Sequence, residues 1–222
     1  RHLLSRFFDC KRLSLITENF KQVKRRIIMA AQRAGRDPGD VRLVAVTKEL
    51  DAEAVTEGLQ NGARIFGESK VQEARAKIES LGRDGIEWHF IGHLQRNKVK
   101  FIFDLFDLIH SVDSLALAEE IHKKAQILGS CMPILLQVNV SGEALKFGMD
   151  PKNVMEVIRM VAPLKGLKIR GLMTITPYDS NPEKSRPYYA RLRDLRDNCS
   201  RLAVPGVSLD ELSMGMSNDY EV

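Results

Sequence analysis

No run of apolar residues in this 222-residue chain approaches the length of a bilayer-spanning helix, which argues against a helical membrane protein. Cysteine is scarce: Cys10, Cys131 and Cys199 are odd in number, far apart and in no CxxC pair. Such usage fits reduced thiols in a cytosol-like compartment rather than a disulfide framework. His89 and His93 stand four apart, but Gly92 and the extended pattern before it break any helical face, so no metal site is expected. No glycine-rich dinucleotide fingerprint follows the first predicted strand. No small-residue cleavage site or long apolar core marks a secretory signal.

What remains is the composition of a soluble globular protein, 44% hydrophobic and 28% charged, at a length that suits one domain with a sizeable core. The net charge of +5 is unevenly placed. Residues 1–26 hold eight Lys and Arg against Asp9 and Glu18, a local +6 that leaves the remainder at −1. A nearly neutral body gives little support to a duplex-binding surface, so no nucleic-acid partner is expected. Residues 1–17 read as a basic extension ahead of a single domain spanning 18–222. Residues 1–15 contain arginine, almost no acid, and Leu3, Leu4, Phe7 and Phe8 interleaved. A frayed extension or an upstream translated leader is the plainer reading, with part of a mitochondrial-type targeting peptide as the alternative. The expected compartment is the cytoplasm, with the mitochondrion as the alternative.

Helix and strand signals alternate along the chain. Phe20, Val23, Ile27, Ala30 and Ala34 share one helical face before Gly35 and Pro38 stop it. The β-branched run 41–48 follows, and Asp51 then caps a helix carrying Ala52, Val55 and Leu59 that ends at Asn61-Gly62. Further strands are predicted at 64–66, 87–91, 108–111, 134–140, 167–173 and 209–213. Between them lie helices after Ser69, at 97–103 with Asn97 as its cap, after Ser114, after Asp150-Pro151, and over Leu192, Leu195, Cys199 and Leu202. Such alternation implies parallel strands joined by right-handed crossovers. Seven strands fit either a doubly wound open sheet or a (β/α)8 barrel lacking its last unit. The even recurrence of short strands and the missing fingerprint favour the barrel. Either fold places a ligand site at the carboxyl ends of its strands.

Lys48 stands at such an end, closing Val44-Ala45-Val46-Thr47-Lys48. A lysine ending a buried strand is either a solvated cap or an amine nucleophile. Burial would lower its pKa and free the amine to condense with an aldehyde such as pyridoxal phosphate. Taken alone, the cap is the commoner case. Four other strand ends are rich in polar groups and glycine: Phe66-Gly67-Glu68-Ser69-Lys70-Val71-Gln72-Glu73, Trp88-His89-Phe90-Ile91-Gly92-His93-Leu94-Gln95-Arg96-Asn97-Lys98, Asn139-Val140-Ser141-Gly142-Glu143-Ala144-Leu145-Lys146-Phe147-Gly148, and Leu212-Ser213-Met214-Gly215-Met216-Ser217-Asn218-Asp219. Each has a plain alternative: Gln95 to Lys98 as a solvated turn, Glu143 and Lys146 as a surface pair, Met214 and Met216 as core filler. Ser213, Gly215 and Ser217 can instead bring hydroxyl and backbone donors close to a phosphate.

Together these stretches resemble one family, the pyridoxal phosphate homeostasis proteins, known as YggS in bacteria and PROSC in animals. The resemblance runs from about Phe20 onward through the five ordered motifs. It implies a single-domain (β/α)8 TIM-type barrel like the cofactor domain of alanine racemase, holding pyridoxal 5′-phosphate (PLP) as an internal aldimine on Lys48. The cofactor-binding residues expected with it are Lys48, Ser69, His89, Glu143, Lys146, Met173, Ser213, Gly215 and Ser217, with no catalytic residue among them. The implied function is in vitamin B6 and amino-acid balance without established turnover, by a monomer or weak dimer. Ser69, a shorter donor, stands where the family has Asn after Gly-Glu. The family pattern continues past Val222 into an eighth strand and an Arg-x-Gly-Thr segment that supplies phosphate donors and an arginine beside the pyridine nitrogen. The barrel is therefore expected to be incomplete, its eighth strand absent from this chain. Two other readings stand beside this one. A PLP-dependent amino-acid racemase needs a base on each face of the substrate carbon, and a binder of some other phosphorylated metabolite would need no covalent chemistry.

Overall fold

The computed structural model describes residues 2–222, with side chains from residue 15 onward. Most of the expected basic extension, and Cys10, lie outside the described side chains. Strands β1 Val44–Val46, β2 Ile65–Glu68, β3 Glu87–Phe90, β4 Leu108–Val112, β5 Met132–Gln137, β6 Leu167–Met173 and β7 Glu211–Ser213 alternate with helices α1 His2–Arg33, α2 Ala52–Gln60, α3 Val71–Leu81, α4 Leu115–Leu128, α5 Val154–Val161 and α6 Arg186–Ser200. Strand order follows chain order and the pairs are parallel, as strand–helix alternation requires. No eighth strand is present among the described residues.

Several element bounds differ from expectation, and three of the differences are the following. The strand predicted at 134–140 runs instead over Met132–Gln137; Val138 keeps one bond to β6, donating its amide to the Met173 carbonyl at 2.8 Å, and also forms an isolated bridge to Met149. The helix predicted at 97–103 is a tight 3-10 segment, Arg96–Phe101, preceded by Gln95 rather than capped by Asn97. Asp150 does cap, but Pro151 first opens a 3-10 turn, Pro151–Asn153, before α5 begins.

The chain forms two compact units, residues 1–88 with Glu221, and residues 89–220 with Val222. In the first, Thr17 of α1 donates its amide and hydroxyl to the buried Glu57 of α2 at 3.0 and 2.7 Å, and Asn61 donates to the Thr17 hydroxyl at 2.9 Å. Asp51 caps α2 by accepting from the Ala54 amide. Strands β1 and β2 pair with Val44 opposite Ile65 and Val46 opposite Gly67. The run 41–48 is not the buried strand expected. Only Val44–Val46 is strand, and Val46 is 44% exposed, because β1 stands at the end of the strand order with β2 as its neighbour.

In the second unit β3 to β7 pair in sequence, and β4 is buried along its whole length. His110 of β4 bonds Ser213 of β7 at 2.8 Å. Strands three places apart in a flat sheet would lie about 14 Å from one another, so this part of the sheet curls. Leu108, Leu135 and Met173 form a buried cluster from β4, β5 and β6. At the β6–β7 seam, Gly171 faces Glu211, and a Cβ at 171 would run into the Glu211 carbonyl. The flanking Arg170 guanidinium pairs with the Glu211 carboxylate.

The loop after β7 is tied down by Asp219, which is 1% exposed. Its Oδ1 accepts from the Met216 amide at 2.6 Å, and its Oδ2 accepts from the Ser185 and Thr176 hydroxyls at 2.7 and 3.3 Å. Thr176 also lies 3.4 Å from the Tyr189 hydroxyl. Burial, opposed in part by the Thr176 hydrogen bond, pushes the Tyr189 phenol up from 10 to about 12.

Two outcomes follow from this packing. Gly171→Ala should lower unfolding stability by about 1–3 kcal/mol or more, the scale of an overpacked core, read from a lower urea midpoint at unchanged slope. A phenol pKa raised in the folded state stabilises the fold fully below the unfolded value of 10, and that contribution is lost as pH rises toward 12. Tyr189→Phe cannot ionise, so its urea midpoint should fall less steeply than that of the unsubstituted protein across this window. Parallel falls would contradict the assignment.

Candidate functional site

In the first unit the strand ends of β1 and β2 are joined by buried polar groups. The Thr47 amide donates to the Gly67 carbonyl, continuing the ladder one residue past β1. Thr47 Oγ1 donates to Glu68 Oε1 at 2.6 Å, and the Lys77 ammonium of α3 donates to the same oxygen at 2.6 Å and to the Thr47 carbonyl. Glu68 is fully buried and Lys77 is 7% exposed. Two charges so far from water persist because they are paired and hydrogen-bonded. Their shared partner, Thr47, immediately precedes Lys48. Beyond it Glu49 takes a positive φ of 64° and its amide donates to Glu73, turning the chain away from the strand. Lys48 itself is exposed rather than buried, and Ser69 is half-buried just after β2.

In the second unit the remaining expected residues fall into three places. His89 is buried on β3, its Nδ1 2.8 Å from Nε2 of His110, whose Nδ1 is 2.8 Å from Ser213 Oγ. Met173 is buried beside Leu108 and Leu135 and pairs in register with Ser213. The Thr174 amide donates to the Ser213 carbonyl, extending β6 alongside β7. Glu143 and Lys146 lie on the loop after β5, 3.7 Å from each other. Asn139 shapes that loop: its side chain donates to the carbonyls of Glu143 and Lys146 and accepts from Ser141 and the Gly142 amide. Phe147, on the same loop, stacks on His93 with ring centroids 3.9 Å apart, and His93 pairs with Asp113 at 3.4 Å.

The 213–219 loop carries Ser213, Gly215 and Ser217. Gly215 has a φ of +94°, and a Cβ there would come within 3.2 Å of the Tyr220 Cα, so only glycine suits the position. The Met216 amide is taken by Asp219. The loop thus offers two hydroxyls at half-buried and exposed positions around a glycine that a side chain cannot crowd. Small residues and close backbone approach are what a phosphoryl group requires, so these residues fit the phosphate of PLP. Lys48, two residues past β1, is a primary amine that an aldehyde can reach, though without the burial expected of it.

Four residues in or beside these clusters received no role from the sequence. Lys77 shares the apolar face of α3 with Ala74 and Ile78, and a lysine on such a face is a visible sign of a buried partner. His110 and Ser111 interrupt an otherwise apolar strand, a second such sign. Asp219 stood among the motif residues, but its grip on Ser185 and Thr176, 34 and 43 residues away, leaves no trace in local pattern. Among the described residues, no group of His, Cys, Asp and Glu is placed to hold a metal ion.

The family model described as the alanine racemase N-terminal domain matches residues 14–221. A pyridoxal phosphate homeostasis protein of Aquifex aeolicus is 43% identical over 213 residues, covering 96% of this chain and 90% of its own. PipY of Synechococcus elongatus, solved with PLP bound, superposes with a TM-score of 0.76 at 36% identity, covering 89% of this chain and 91% of that one. An alanine racemase of Clostridium difficile superposes with a TM-score of 0.69 at 14% identity, covering 88% of this chain and 50% of that chain. This last likeness carries the fold, an α/β arrangement of the TIM type. With a family match along nearly the whole chain and relatives at this identity, the protein belongs to the pyridoxal phosphate homeostasis family, built on the alanine racemase N-terminal domain fold.

Proposed function

We propose that this protein is a PLP-binding regulator of vitamin B6 and amino-acid balance rather than an enzyme with turnover, acting as one functional domain over residues 18–222. The observation that carries this reading is the Asp219-tethered loop, in which the Ser213 and Ser217 hydroxyls flank Gly215, and we read these residues as hydrogen-bonding a phosphate. The PLP-bound state of PipY supports the same cofactor. When bound, PLP supplies an aldehyde that condenses with an amine and a ring that delocalises electrons. Lys48 contributes the amine, its strand end held by Thr47, Glu68 and Lys77. Ser69 and Lys146 are further polar contacts for the cofactor, Glu143 sets the position of Lys146, His89 acts through His110, and Met173 forms apolar floor beneath the end of β6.

A racemase reading is weaker, since the likeness to alanine racemase spans half of that enzyme at 14% identity and carries the fold alone. From the nearly neutral charge of residues 27–222 we infer no nucleic-acid partner, and we infer a monomer or weak dimer. Among the described residues no helix is long and apolar enough to cross a membrane. Cys131 and Cys199 are free thiols, in keeping with a reducing compartment, for which we infer the cytoplasm ahead of the mitochondrion.

Incubation with PLP followed by borohydride should fix a pyridoxyl group on Lys48, seen by peptide mass mapping, and Lys48→Ala should remove it. An adduct found on another lysine instead would refute Lys48 as the anchor.

A further inference from the structure

His89 of β3, His110 of β4 and Ser213 of β7 are joined in series by two hydrogen bonds of 2.8 Å, with the imidazole centroids 4.8 Å apart. Both histidines are buried, at 1% and 3% exposure. Each bond holds one proton, so the chain has two neutral arrays in which every imidazole carries a single proton. In the inward array the Ser213 hydroxyl donates to His110 Nδ1, and His110 Nε2–H donates to His89 Nδ1. In the outward array His89 Nδ1–H donates to His110 Nε2, and His110 Nδ1–H donates to Ser213 Oγ. Passing from one to the other moves each imidazole proton between its two nitrogens and creates no net charge.

The arrays differ in what they leave Ser213. In the inward array its proton is spent on His110, and an anion beside it would meet oxygen lone pairs. In the outward array Oγ is already an acceptor, and its own proton is released to point away from His110. Resting on the reading of the 213–217 loop as a phosphate holder, we propose that a phosphoryl group bound there selects the outward array, with His110 as the residue that positions the Ser213 hydroxyl as a donor. The coupling is physical: an anion drawing on the serine proton makes Oγ a better acceptor for His110 Nδ1–H, and bonds in a buried chain polarise one another. A bond from a hydroxyl to a phosphate is also the charge-assisted, stronger kind. His110 is thus a positioning residue, acting through Ser213.

Nitrogen NMR of histidine-labelled protein reads the array directly, with His110 assigned by its absence in a variant. Saturated with inorganic phosphate or with PLP, His110 should show a protonated, pyrrole-type Nδ1 and an unprotonated Nε2. Ligand bound with the proton on Nε2 overturns the proposal while leaving the phosphate loop intact. Failure of the unsubstituted protein to bind either ligand overturns the phosphate reading and this inference with it. Variants give a second readout. His110→Asn, whose amide nitrogen replaces Nδ1 as a donor, should bind PLP nearly as well as the unsubstituted protein. His110→Phe should weaken binding about tenfold or more, the scale of a hydrogen bond to a charged group. Ser213→Ala added to His110→Phe should cost little further, since the two act as one unit. Fully additive losses would overturn the coupling.

Discussion

The side chain of Asp219 binds three separate pieces of chain at once. One oxygen holds the Met216 amide and so closes the turn after β7, while the other holds Ser185 and Thr176. Burying a carboxyl is costly unless its oxygens are hydrogen-bonded, and here both oxygens accept bonds. The loop that carries Ser213, Gly215 and Ser217 therefore keeps its shape without a strand on its far side among the described residues. A preformed donor loop does not have to be ordered by its ligand, which is where binding energy is otherwise lost. Removing the tether would leave the hydroxyls in the sequence but not in place.

The first unit solves a similar problem with opposite charges. Lys48 must be reachable, and an exposed side chain after an end strand gains little order from packing. The buried Glu68–Lys77 pair supplies that order from beneath, by binding the Thr47 side chain and carbonyl one residue away. In the proposed reading the exposed residue carries the chemistry and the buried ones the geometry.

Much of this was legible in advance. The alternation of period-2 and period-3.6 patterns is local, so the order of elements and the parallel sheet could be read from it, and β6 at Leu167–Met173 emerges with the bounds expected. The residues at strand ends were legible too, because glycine and polar residues directly after an apolar run have few structural reasons to be there. What could not be read were partnerships across long separations. His110 and Ser213 lie 103 residues apart in the chain, and only the curl of the sheet brings them together. The exposure of Lys48 was also hidden, because a β-branched run looks the same whether its strand has one neighbour or two. Only the strand order separates the two cases.

The central claim is that the 213–219 loop grips the phosphate of PLP. It is tested most directly by titrating the unsubstituted protein and Asp219→Asn with PLP and with pyridoxal, which lacks the phosphate. The account predicts that the unsubstituted protein prefers PLP by about tenfold or more, the scale of hydrogen bonds to a charged group, and that Asp219→Asn loses most of this preference while its affinity for pyridoxal stays the same. Equal affinity for the two compounds in the unsubstituted protein, or a preference untouched by Asp219→Asn, would contradict it.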